Sequence, residues 1–75
     1  MEKEVLESQA QTLADRFRDT QGLGFYCMAI LKLGFSRCYE LASLSLELAR
    51  DGRVRTSAAR YFNGCVMKEI KERGL

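Results

Sequence analysis

The segment FYCMAILKLG, residues 25–34, decides the fold class because it is apolar nearly all round. A helix with this pattern is buried on every side, so we predict that residues 25–33 form the central helix of a small bundle. The run is too short to cross a membrane, which takes about 20 apolar residues, and Lys32 interrupts it. Gly34 is well placed to end this helix, since glycine accepts the left-handed conformation found at helix ends.

Apolar side chains at helical spacing predict three further helices, at about residues 2–19, 36–50 and 57–73. Two glycines mark the break at residues 20–24, and the chain has no proline to obstruct long helices. Connections of about 3–6 residues suit antiparallel neighbours in a bundle. We therefore predict an all-α fold, a compact bundle of about four helices in a single domain of residues 1–75. The sequence leaves open whether this domain is a whole protein or a piece of a longer one.

The same spacing predicts the helix caps and the inner faces. Ser36 is expected to cap the third helix, and Thr56 or Ser57 the fourth; Gly52 and Gly74 are expected to end those helices. The residues predicted to face inward are Leu6, Ala10, Leu13, Ala14 and Phe17 in the first helix, Cys38, Leu41, Ala42, Leu44, Ser45, Leu48 and Ala49 in the third, and Ala59, Phe62, Val66 and Ile70 in the fourth.

Composition argues against most catalytic and metal-binding classes. The chain has no histidine, which removes the usual general base at neutral pH and the commonest metal ligand. Cys27, Cys38 and Cys65 are odd in number, widely spaced and set in apolar helical stretches, as in reduced, buried thiols of a cytoplasmic protein. Only Cys38, beside Arg37, comes near the setting of a reactive thiol. We predict no enzyme activity, no metal, no cofactor and no membrane association, and the acidic, polar N-terminus lacks the pattern of a secretory signal.

Positive charge is concentrated in the segment RDGRVRTSAARYFNG, residues 50–64. A helix begins here, and the free amides of a helix N-terminus favour an anion. Arginine binds phosphate through two parallel hydrogen bonds, and hydroxyls add donors. We name this segment's candidate phosphate-binding residues the basic corner: Arg53, Arg55, Thr56, Ser57, Arg60 and Tyr61.

A structural interpretation of the same residues stays open. The arginines of an exposed loop could pair with Asp51, with Glu47 or with a neighbouring chain. Tyr61 could stack on a base, although such a tyrosine more often buries its ring and keeps its hydroxyl in water. Gly64, in mid-helix, predicts the close approach of the second helix or of a partner.

A helix-turn-helix interpretation is also open, because Gly34 joins two predicted helices at the right spacing for that motif. The reading helix would then be the third one. Near its start, however, Arg37, Glu40 and Ser43 are the only side chains suited to base contacts.

The C-terminal segment GRVRTSAARYFNGCVMKEIKERGL, residues 52–75, resembles the C-terminal helical region of DnaD-like primosome proteins. That region has a tyrosine, an aliphatic residue four positions on and a tryptophan four further on. Tyr61 matches the first position, while Cys65 and Glu69 stand at the other two. The resemblance implies bacterial or mobile-element DNA replication and contacts with DNA.

We therefore expect a non-catalytic interaction module that contacts the backbone of DNA or RNA through the basic corner. The alternative is a protein-interaction or homodimerisation domain without a nucleic-acid role, with Tyr39, Leu46 and Met67 as its contact surface.

Overall fold

The computed structural model describes residues 2–75, so Met1, the first residue of the predicted domain, lies outside it. Over that range the chain forms four α-helices and no β-strand: α1 (Lys3–Phe17), α2 (Leu23–Leu33), α3 (Phe35–Arg50) and α4 (Ala58–Arg73). The predicted all-α bundle of four helices is confirmed. Its radius of gyration is 11.8 Å, close to the value of about 11 Å expected for a compact domain of this length.

The helices pack as two pairs joined through the middle of the chain. α1 packs mainly against α2, and α3 mainly against α4, while α2 and α3 each contact all three other helices. The predicted central position of α2 is therefore shared with α3. All four helices contribute to one core, made of Ala10, Leu13, Ala14, Tyr26, Ala29, Ile30, Leu33, Cys38, Leu41, Ala42, Phe62, Val66 and Ile70.

A single residue, Gly34, connects α2 to α3. Its N–H donates to the Ile30 carbonyl at 2.8 Å and its carbonyl accepts from the Cys38 N–H at 3.2 Å, so it ends one helix and begins the next. Its φ of 85° and ψ of 153° require glycine. The prediction that Ser36 caps α3 is wrong, because α3 begins at Phe35 and has no side-chain cap.

The corner between α1 and α2 is organised by Asp19. Its Oδ1 accepts from the Gln21 N–H at 3.0 Å, and its Oδ2 accepts from the Tyr26 hydroxyl at 3.1 Å. A side chain at residue 22 would collide with this carboxylate and with the Tyr26 ring, which explains Gly22. Gly24 was expected to share in the break, but α2 begins at Leu23 and includes it.

Four aromatic rings hold α4 against the first half of the chain. Phe62, fully buried, lies 5.0 Å from the Phe17 ring, 5.8 Å from Tyr26 and 6.4 Å from Phe25, measured between centroids. Each such pair stabilises the fold by about 0.5–1.5 kcal/mol beyond simple burial. This cluster fixes the rotation of α4 about its own axis, and so fixes which of its side chains face water.

The predicted inner faces are largely confirmed, with one error on α3. Cys38, Leu41, Ala42 and Ser45 are buried there, and the Ser45 hydroxyl is satisfied by donating to the Leu41 carbonyl at 2.7 Å. Leu44, however, is 45% exposed. It lies at the edge of the apolar stripe, where α4 does not cover it.

Candidate functional site

The loop that carries the first part of the basic corner leaves α3 through a glycine turn. Gly52 has a φ of 72°, and its N–H donates to the Ala49 carbonyl at 3.1 Å. The Arg53 N–H donates to the Leu48 carbonyl at 2.9 Å. Val54 is half-buried. The backbone on either side of Arg53 is therefore held, while the arginine side chains point into solvent.

Ser57 caps α4, which confirms one of the two predicted caps. Its Oγ accepts from the Arg60 N–H at 3.2 Å. Thr56 does not cap the helix, and its hydroxyl lies 3.5 Å from the Ser57 carbonyl. Ser57 therefore occupies the Arg60 amide, which is one of the free amides at this end of α4.

The three arginines of the basic corner are exposed and have no partner. Across residues 2–75, Arg53, Arg55 and Arg60 make no salt bridge and no side-chain hydrogen bond. The predicted alternative of pairing with Asp51 is not observed, since Asp51 lies beside Arg50 at 3.9 Å. The sequence around them adds no acidic side chain anywhere between residues 52 and 68.

Of the other arginines in the described range, Arg18 is exposed and has no partner, whereas the rest have contacts within the fold. Arg16 donates to the Ser43 Oγ at 2.9 Å, and its guanidinium lies 4.4 Å from the centre of the Tyr39 ring. Arg73 lies 3.3 Å from the Glu69 carboxylate. The arginines therefore divide into those with a partner and those without one, and all three arginines of the basic corner are in the second group.

Arg37 and Glu69 form the main electrostatic link between α3 and α4. The Arg37 Nη2 donates to the Glu69 Oε1 at 2.7 Å, and Nε donates to both carboxylate oxygens at 3.0 Å. This hydrogen bonding lowers the pKa of Glu69 and raises the pKa of Arg37. The Glu69 side chain is only 19% exposed. Its charge is balanced and does not oppose the positive field around α4.

The outer face of α4 carries a shallow open groove of about 430 Å³. We name it the α4 groove; it is lined by Arg60, Tyr61, Gly64, Cys65 and Lys68. Tyr61 is 36% exposed and is not part of the core cluster, so its ring is available at the surface. Arg60, Gly64 and Lys68 are spaced four residues apart, which places them on one side of the helix.

Gly64 forms the floor of the α4 groove. The prediction that it packs against the second helix is wrong, because no heavy atom lies within 4 Å of the place where its Cβ would stand. A glycine here leaves a gap in the row of side chains between Arg60 and Lys68. The sequence contained the signal for this exposure, since Gly64 lies about 200° around the helix from the buried Phe62.

The three side chains that a helix-turn-helix reader would use on α3 are occupied by contacts inside the chain. Arg37 is bound to Glu69, and Glu40 lies 3.7 Å from the Arg37 Nη1. Ser43 accepts the hydrogen bond from Arg16. Base reading by α3 would require these contacts to break, so the structure argues against that interpretation.

The cysteines fit the predicted set of reduced thiols, although only one is fully buried. All three are free; Cys38 is buried, and Cys27 and Cys65 are half-buried. Burial, with a smaller contribution from the Glu69 carboxylate, raises the pKa of the Cys38 thiol to about 11 against the opposing effect of Arg37. Cys38 therefore stays protonated at neutral pH, and its neighbouring arginine does not make it reactive.

The apolar surface considered for protein contacts is scattered. Tyr39 is 42% and Met67 51% exposed, while Leu46 is half-buried. The Tyr39 ring already contacts Phe35, at 5.7 Å between centroids, and Arg16 covers it. Of the three predicted contact residues, Met67 is the one that the fold leaves most accessible.

The remaining evidence on function is negative. Between Glu2 and Leu75 there is no group of three or more His, Cys, Asp or Glu side chains that could hold a metal ion. No helix in that part of the chain is long and apolar enough to cross a membrane. No protein-family model, no curated protein and no solved structure matches the chain.

Proposed function

We propose that this chain is a non-catalytic interaction module that contacts the phosphate backbone of nucleic acid through the basic corner. Its place in bacterial or mobile-element DNA metabolism is proposed from the resemblance of residues 52–75 to the C-terminal helical region of DnaD-like primosome proteins. The contact is one of charge and hydrogen bonding to phosphate, and so is independent of base sequence.

The observation that carries this proposal is the free state of Arg53, Arg55 and Arg60. Each guanidinium is exposed and unpaired within residues 2–75, and no acidic residue lies between positions 52 and 68. Arg37 and Arg73, by contrast, are both bound to the Glu69 carboxylate. A free guanidinium group can bind phosphate oxygens through two parallel hydrogen bonds.

A salt titration of DNA binding tests the proposal directly. Three phosphate contacts on duplex DNA predict that log K falls with log salt at a slope of about −2.7, so affinity drops about 40-fold between 50 and 200 mM salt. The variant R53A/R55A leaves one contact, and its slope becomes about −0.9 with a drop of about 3.5-fold. Binding is measured by fluorescence anisotropy of a labelled duplex.

The matched control removes two positive charges elsewhere. Lys3 and Lys32 are exposed and unpaired over the same described residues, so K3A/K32A lowers the net charge by the same amount. Under the proposal this control keeps the steep slope. If both double variants lose affinity equally, the attraction comes from net charge and the basic corner has no special role.

The competing proposal is homodimerisation through exposed apolar side chains, and the exposure of Met67 favours it. A dimer gives a mass that rises with protein concentration and changes little with salt. Sedimentation equilibrium of the wild-type chain and of Met67→Lys separates the two proposals, because only a dimer through Met67 is dissociated by that substitution.

A further inference from the structure

We propose that the α4 groove binds single-stranded nucleic acid, with one base stacked on the Tyr61 ring above Gly64 and the neighbouring phosphates on Arg60 and Lys68. This inference rests on the proposed function and adds to it the kind of nucleic acid and a second set of contacts. It gives roles to Gly64 and Lys68, which the basic corner does not use.

The first step of the argument is the shape of the surface. The α4 groove measures about 430 Å³ and opens on the outer side of the helix. Its floor is Gly64, where no atom lies within 4 Å of an added Cβ. A base packed against α4 at this point would not clash with a side chain of residue 64.

The second step is the arrangement of charge along the groove. Arg60 and Lys68 stand two helical turns apart on the same side, so their Cα atoms are separated by about 12 Å along the axis. A stacked strand rises about 3.4 Å along its axis for each phosphate, so this span matches the axial rise of about three nucleotides. Lys71, one turn beyond Lys68, continues the cationic side of the helix.

The third step is the exposed aromatic ring. Tyr61 lines the groove together with Arg60 and Lys68, with 36% of its surface exposed. Bases in a duplex are stacked on one another, and their faces are not accessible. Single strands expose these faces, and aromatic side chains beside cations are what proteins use to bind them.

Charge also excludes the most obvious competing occupant, a second copy of α4. Two copies packed antiparallel with Gly64 at the crossing would bring Arg60 of each against Lys68 of the other. Like charges placed directly opposite one another destabilise a contact. The groove therefore favours a polyanion over its own copy.

The test compares single strands with duplexes in variants that keep the fold. The probes are a fluorescein-labelled oligothymidylate of about 15 nucleotides and a duplex of the same length, at 50 mM salt. Tyr61→Leu removes the stacking ring from an exposed site, and Gly64→Gln fills the floor of the groove with a good helix former. The matched control is Gly24→Gln, since Gly24 is also an exposed helical glycine with no atom within 4 Å of an added Cβ.

We expect Tyr61→Leu and Gly64→Gln each to weaken oligothymidylate binding by about tenfold. Gly64→Gln, which changes no residue of the basic corner, should leave duplex binding within about twofold. Gly24→Gln is expected to match the wild-type chain on both probes. Circular dichroism shows that each variant is folded.

Two results would overturn the inference in distinguishable ways. If the wild-type chain binds both probes equally and Gly64→Gln changes neither, the α4 groove is not a binding site, and the basic corner remains. If the wild-type chain binds neither probe at 50 mM salt, the proposed function fails together with this inference. Loss of binding to both probes in Gly24→Gln would show that the glycine variants act through the fold.

Discussion

Replacing Gly64 by alanine is expected to stabilise this protein. Gly64 lies near the centre of α4, its φ is not positive, and the site of an added Cβ is open. Alanine restricts the unfolded chain and suits a helix, so the free energy of unfolding should rise by about 0.5–1 kcal/mol.

An increase of this size is readily measured in so small a domain. The total stability of 75 residues is about 4–11 kcal/mol at 0.05–0.15 kcal/mol per residue. A gain of about 1 kcal/mol raises Tm by about 4–8 °C. With an m-value of about 1 kcal/mol/M, the midpoint of urea unfolding rises by about 0.5–1 M. Far-UV circular dichroism follows both transitions.

Gly52→Ala is the matched comparison, because both glycines have room for an added Cβ and only their backbone conformations differ. Neither has an atom within 4 Å of an added Cβ, but Gly52 has a φ of 72°. Alanine is strained in that conformation, so Gly52→Ala should lower stability by about 1–2 kcal/mol. If Gly64→Ala lowers Tm as well, Gly64 is in contact with another part of the chain, and both the open groove and its proposed ligand are wrong.

Three further predictions concern the link between α3 and α4, the cap of α4 and the burial of Cys38. Glu69→Gln should lower the free energy of unfolding by about 0.5–1 kcal/mol at neutral pH, since the link to Arg37 is partly exposed. The folded-state pKa of Glu69 lies below its ordinary 4.5, so this contribution is present above that pH and is lost as the pH falls through the folded pKa. The wild-type chain and the variant should therefore become equally stable in urea titrations at acid pH. Ser57→Ala removes the acceptor of the Arg60 N–H and should lower the urea midpoint by about 0.5–1 M, equivalent to about 1 kcal/mol, whereas Ser57→Asp should not. Cys38, buried and with a pKa of about 11, should react with a thiol reagent last of the three cysteines at pH 8, as read by mass spectrometry; equal rates would contradict its burial.

Helix ends were predictable where a glycine determines the backbone. Gly34, Gly52 and Gly74 all have positive φ and all mark the end of a helix, as their positions in the sequence indicated. Ser36 was misassigned as a cap because the sequence suggests a loop after Gly34, whereas Gly34 alone joins the two helices. A connection of one residue has no run of turn-forming residues by which the sequence could reveal its length.

The pairing of charges was not predictable, because it depends on contacts between distant parts of the chain. Arg37 and Glu69 are 32 positions apart, and nothing local distinguishes Glu69 from the exposed Glu72. The basic corner was found from local density of charge, but its free state follows only from the packing that sends the acidic residues elsewhere. Lys68 and Gly64 could have been assigned to one outer face from their spacing relative to Phe62.

The division between paired and unpaired arginines implies that stability and binding can be changed separately. Glu69 holds Arg37 and Arg73, so Glu69→Gln should reduce stability. It should leave the affinity for DNA unchanged, because Glu69 does not contact the arginines of the basic corner. Exposed, unpaired arginines contribute within about ±0.5 kcal/mol to folding, so R53A/R55A should unfold like the wild-type chain and lose the salt-dependent affinity. Urea unfolding and anisotropy on the same preparations measure both properties. If R53A/R55A proves markedly less stable, these arginines have partners within the fold, and their availability to phosphate, on which the functional proposal depends, is refuted.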